Sequence, residues 1–218
     1  MRSGAVRMRT SIAAVLAWMA LTGAAYAQIA PAAPNKGYAE VVAQSAFGNV
    51  TSQSFGGEIG IAIQPEVQLF LEGGLIRDAA PASLGANAQK IATGIAALAG
   101  SADFHVKQPV TFGIIGLKYV VPTTNARVEP YVLGGIGLAQ VKRDVTFTPS
   151  TGDLSQYVTL GSDLSGDETK AMISIGGGIG VPVSRTVIID LQYRYGRVFT
   201  SGEGLNVNRA GIGFGVRF

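Results

Sequence analysis

Glu58 and Glu72 carry the first candidate chemistry. Two neighbouring carboxyls can divide acid/base work, one protonated and the other ionised. They flank Gln64-Pro65, a turn-forming pair. A tight turn there makes the glutamates cross-strand neighbours on one face. Arg194 and Arg209 stand in the same relation across another short connection. Like charges side by side are unfavourable unless each has a partner. An acidic pair meeting a basic pair across a narrow interior satisfies both. Arginines at that distance hold the carboxyls ionised and remove the acid/base chemistry. The spacing therefore predicts a structural ion network of Glu58, Glu72, Arg194 and Arg209, with Lys118 and Asp190 as further members.

The other candidates carry less. His105 is the only histidine, and Asp103 and Lys107 stand two residues to either side, so no serine shares its face there as a nucleophilic relay requires. Asp163, Asp167 and Glu168 cluster without the Asp-x-Asp-x-Asp-Gly spacing of a calcium loop. Gly134-Gly135-Ile136-Gly137 and Gly176-Gly177-Gly178-Ile179-Gly180 lack the Gly-Lys-Ser/Thr ending and following helix of a phosphate loop. They suit strands that bend or approach closely. Cysteine is absent, which excludes thiol chemistry and disulfides. No catalytic residue, cofactor or metal site is expected.

Eight alternating segments are available to position the charges. They run about 37–47, 54–63, 66–76, 108–121, 127–141, 169–181, 186–199 and 208–218. The last sets Ala210, Ile212, Phe214, Val216 and Phe218 against Arg209, Arg217 and three glycines, at the strand period of two. The seventh sets Val187, Ile189 and Leu191 against Asp190, Gln192 and Arg194. The fourth is apolar on both faces, with Lys118 alone marking an inner side, and Glu129 marks the odd side of the fifth as interior. A soluble sheet buries the apolar face; a membrane barrel turns it to lipid and keeps the charges in the lumen.

Composition favours the barrel. The chain is 47% hydrophobic and only 14% charged, yet after residue 27 it has no uninterrupted apolar run long enough for a spanning helix. A barrel spans lipid without such a run. Residues 1–27 read as a secretory signal peptide: Arg2, Arg7 and Arg9, an apolar stretch, then Ala25-Tyr26-Ala27 as cleavage site. Without those three arginines the basic and acidic residues balance at 14 each, so the basic pI does not point to nucleic acid. Residues 28–36 form a short periplasmic lead-in, and 37–218 the barrel.

The connections alternate in length. Gln64-Pro65, 122–126 and 182–185 are tight; 77–107 and 142–168 are long. Short periplasmic turns and longer outer loops are the barrel pattern. Leu84 to Leu98 carries a helical stripe of Ile91, Ile95 and Leu98, against the alternative of an irregular loop. Tyr38, Phe55, Tyr119, Phe199 and Phe218 lie near strand ends as a partial interfacial girdle. Closure of the first strand on the last predicts a Glu40–Arg217 pair near the periplasmic end.

The segments Glu129-Pro130-Tyr131-Val132-Leu133-Gly134-Gly135-Ile136-Gly137, Leu191-Gln192-Tyr193-Arg194-Tyr195-Gly196 and Asn208 to Phe218 resemble the small OmpA-type, porin-like outer-membrane β-barrels of Gram-negative bacteria. The resemblance spans the chain after the signal segment. It implies an all-β, eight-stranded antiparallel up-and-down transmembrane barrel, monomeric, in the outer membrane. It implies insertion by the barrel-assembly machinery, with the terminal aromatic strand, Phe214 and Phe218, as assembly signal. The family's peptidoglycan-binding domain does not follow Phe218, so wall anchoring is not carried over. The expected function is structural and surface-displaying, with outer-membrane lipid as solvent and host or surface ligands at the 77–107 and 142–168 loops. The alternatives are a narrow channel for small or apolar solutes, a lipid-modifying enzyme, and a soluble periplasmic sandwich or lipocalin-like carrier.

Overall fold

Alternation becomes architecture because a strand turns successive side chains to opposite faces. The computed structural model describes residues 36–99, 101–125, 127–149, 165–200 and 204–218. The expected signal peptide and all of the lead-in except Lys36 lie outside these. The strands are β1 (Gly37–Phe47), β2 (Ser52–Ala62), β3 (Val67–Ile76), β4 (Ala102–Lys107), β5 (Val110–Val120), β6 (Glu129–Pro149), β7 (Ser165–Pro182), β8 (Val187–Val198) and β9 (Leu205–Arg217). One helix, α1 (Ala82–Ala99), lies between β3 and β4.

Every strand but β4 pairs antiparallel with its neighbours in chain order, and β1 pairs with β9, so eight strands close a barrel. Closure leaves no sheet edge within the wall. The join is finished by main-chain hydrogen bonds between Gly37 and Phe218, 2.9 and 3.0 Å long. Phe218 thus sits at the end that carries the tight turns.

At the opposite end the wall rises above the barrel. β6 and β7 remain paired as far as Asp144 and Ser165. Beyond that, β6 takes β4 as its partner, with Phe104 opposite Phe147 and Val106 opposite Val145. The expected long loops are therefore partly strand. α1 seals this extension through Leu84 and Ala88, which pack with Val145 and Phe147. Ile95 is buried, and Ile91 joins the same cluster. This decides the helix alternative for the 77–107 segment.

The two faces of the wall differ in kind. Outward positions carry Val41, Ile59, Leu71, Ile115, Ile136, Ile175, Leu191 and Ile212, all exposed. Inward positions carry the charged residues and a second set of hydrophobics. Tyr38 belongs inside: it shares the even parity of Glu40 and is buried, so it is no part of an interfacial girdle. Phe55, Tyr119, Phe199 and Phe218 are exposed.

Candidate functional site

The lumen holds two layers. The lower begins with three glutamates in a row, because the register sets Glu40 opposite Glu58 and Glu58 opposite Glu72. On the facing wall Arg194 stands opposite Arg209. The four predicted residues meet. Arg194 donates to Glu58 at 2.5 Å and to Glu72 at 2.7 Å. Arg209 donates to the other Glu72 oxygen at 2.9 Å. Arg194 is 0% and Arg209 1% exposed, so these charges exchange water for one another. Arg209 also lies over the Phe112 ring, 4.3 Å from its centroid.

Lys118 and Asp190 join through aromatic residues. The Lys118 ammonium is 3.3 Å from Glu58 and lies between two rings, 4.3 Å from the Tyr38 centroid and 4.2 Å from that of Tyr131. The Tyr38 hydroxyl donates to Glu58. The Tyr131 hydroxyl donates to Asp190 at 2.5 Å. Gln192 links the remainder: its amide donates to Glu40 at 2.8 Å, and its carbonyl accepts from Arg194 Nε at 2.6 Å.

Glycines on the inner wall make this packing feasible. A Cβ on Gly60 would fall 2.1 Å from the Tyr38 ring, and one on Gly213 would fall 2.1 Å from Glu40 Oε1. Only a residue without a side chain fits opposite these groups.

The expected Glu40–Arg217 pair does not form. Strand closure sets Arg217 opposite Tyr38 and Glu40 opposite Gly215. Arg217 instead reaches Glu129 on β6 with two parallel hydrogen bonds, one of them 2.7 Å. Glu40 turns to Gln192. Sequence reasoning placed Gln192 and Glu129 on inner faces without naming their partners, and it missed Tyr38 and Tyr131 as members of the interior. Parity was their signal: each shares a face with a charge already placed inside.

Above the charges lies an apolar layer. Ile76, Val110, Ala139, Val141, Met172, Val198 and Val207 fill the bore towards the long-loop end. Ile76, Val110, Val141 and Val198 are each 0% exposed. Ser54, opposite Ile76, is buried beside this layer.

The remaining candidates are dispersed. His105 lies on β4 opposite Thr146 and faces out. Asp163 lies outside the described residues. Glu168 binds Arg143 and Lys170, the latter at 3.5 Å. Phe214 lies on the outer face and Phe218 at the barrel join; both are exposed.

The comparisons with known proteins agree with this geometry. The N-terminal β-barrel domain of Pseudomonas aeruginosa OprF superposes with a TM-score of 0.52 at 18% identity, covering 85% of this chain and 98% of that one. Neisserial surface protein A gives 0.52 at 15% identity, covering 84% and 96%. A major outer membrane protein from Thermus thermophilus gives 0.55 at 10% identity, covering 84% and 99%. At these identities the likeness is one of fold. Comparison with curated proteins gives no match. A family profile, the outer membrane protein beta-barrel domain, matches residues 13–218. The chain therefore belongs to the outer-membrane β-barrel family.

Proposed function

We propose that this barrel is a structural and surface-displaying component of the outer membrane, without catalytic turnover. The observation that carries this is the filled bore: a layer of interlocked charges beneath a layer of fully buried Ile and Val. A solute would have to break both. Glu58 and Glu72 are each bound by arginine, which suits a brace and opposes acid/base work. The charge network fixes which strands face one another. The belt of Ile, Val, Leu and Phe holds the barrel in hydrocarbon.

In this reading the short turns are periplasmic and the extension is outside. The β4–β6–β7 sheet with α1 is the part that meets the exterior and holds the surface for host or other ligands. Residues 1–27 are the export signal. Phe214 and Phe218 serve the assembly machinery during insertion, and the barrel works as a monomer.

Cells lacking the gene, cells expressing the whole chain, and cells with residues 78–107 replaced by a short turn test the proposal. Loss of the gene should raise sensitivity to detergent and lower surface adhesion. The short-turn variant should restore detergent resistance but not adhesion. Full adhesion by that variant would contradict display by this segment. A change confined to small-solute uptake would favour a channel.

A further inference from the structure

The outer wall carries a trench. Gly57 on β2 pairs with Gly73 on β3, and Gly73 pairs with Gly113 on β5. All three point outward, so three adjacent strands lack side chains at one height. Neighbouring strands lie about 4.8 Å apart, which makes this floor about 10 Å long. Phe55 and Leu75 form one bank, and Ile59, Leu71 and Ile115 the other. The groove, about 640 Å³, runs from these glycines past Ala39 on β1 and is lined by Val41, Ile59, Leu71, Phe214 and Val216.

Among the described residues, nothing crowds Gly73 or Gly113. A Cβ on Gly113 would meet nothing within 4 Å, and one on Gly73 would come no nearer than 3.9 Å to any neighbour. Gly57 is tighter, at 3.3 Å from the Glu40 carbonyl. The inner glycines differ: a Cβ on Gly60 or Gly213 would overlap the lumen network, and one on Gly116, Gly137 or Gly211 would meet the backbone of a neighbouring strand. Glycine weakens a strand and forfeits dispersion contacts. A run of three with open space above it points to something that occupies the space. Elsewhere on the outer wall, Gly134 lies between Leu117 and Ile175, and Gly177 between Val132 and Tyr193. Those are isolated and bounded by side chains.

We infer that the trench is a seat for one acyl chain of a bilayer phospholipid. It lies within the apolar surface that the family's barrels turn to lipid, continuous with that interface on every side. Its banks are hydrocarbon and its floor is backbone already hydrogen-bonded across the sheet, so it recognises a slender apolar chain and nothing charged. A second copy fits poorly. A two-fold contact places the same patch on both partners, so trench would face trench and leave both floors empty.

The test uses the folded protein in phospholipid nanodiscs doped with a phosphatidylcholine that carries a photoactivatable group near the end of one acyl chain. After irradiation, peptide mapping compares β2, β3 and β5 with the far wall around Ile175 and Leu191. Labelling in the trench should exceed the far wall several-fold. Gly73→Leu with Gly113→Leu fills the trench and should bring its labelling down to the far-wall level, with far-wall labelling unchanged. Heat-modifiable gel migration reports folding; if the double variant fails to fold, the alanine pair takes its place. Even labelling around the unmodified barrel overturns the inference without any variant. So does undiminished labelling of a folded, filled trench, or crosslinking of two copies through the glycines.

Discussion

Ile114 and Ile115 are consecutive, identical in chemistry, and in opposite solvents. Ile114 is 1% exposed and Ile115 is 51% exposed. The inner wall of the barrel behaves like the core of a soluble protein that has taken in charges. The outer wall behaves like a surface whose solvent is hydrocarbon. Hydrophobicity alone therefore does not tell a residue's place in this fold. What tells it is which charges share its parity.

The inner wall is where single substitutions should cost most. Arg194→Ala removes the shared partner of Glu58 and Glu72 and should destabilise by about 3–5 kcal/mol, since buried charge is left uncompensated. Urea unfolding in phospholipid vesicles, followed by heat-modifiable migration, measures this. The consecutive isoleucines give the sharpest contrast. Ile114→Ala leaves a cavity and should cost about 2–5 kcal/mol. Ile115→Ala should cost roughly 1 kcal/mol or less, because lipid closes over the site. Equal losses would break the distinction between the walls.

A charge on the outer wall inverts the comparison. Ile175→Arg, at an exposed outward position, should cost about 2–4 kcal/mol if it lies near the bilayer midplane. The rim should show an effect as small as that of Ile115→Ala. Arg217 and Glu129 keep 14% and 32% of their side-chain surface, so Arg217→Ala should cost about 1 kcal/mol or less by the same unfolding assay.

The barrel was legible because period-two alternation with charges on one face survives in almost every strand. The Glu58–Glu72 and Arg194–Arg209 neighbours followed from turn length alone. Three features were not legible, each for a physical reason. β6 and β7 outrun the eight-stranded wall, so a length limit drawn from bilayer thickness cut them short, although Val145 and Phe147 still alternate beyond it. Tyr38 suits either an interface or a lumen, and only its parity with Glu40 decides. Arg217 has a long side chain, so its partner was set by reach across the bore to Glu129 rather than by strand adjacency.

The central claim is that the lumen is a packed core and not a passage. Single-channel recording of the folded, purified barrel in planar bilayers tests it most directly. The filled bore predicts a flat baseline at voltages the bilayer tolerates. Steady, uniform openings would contradict it.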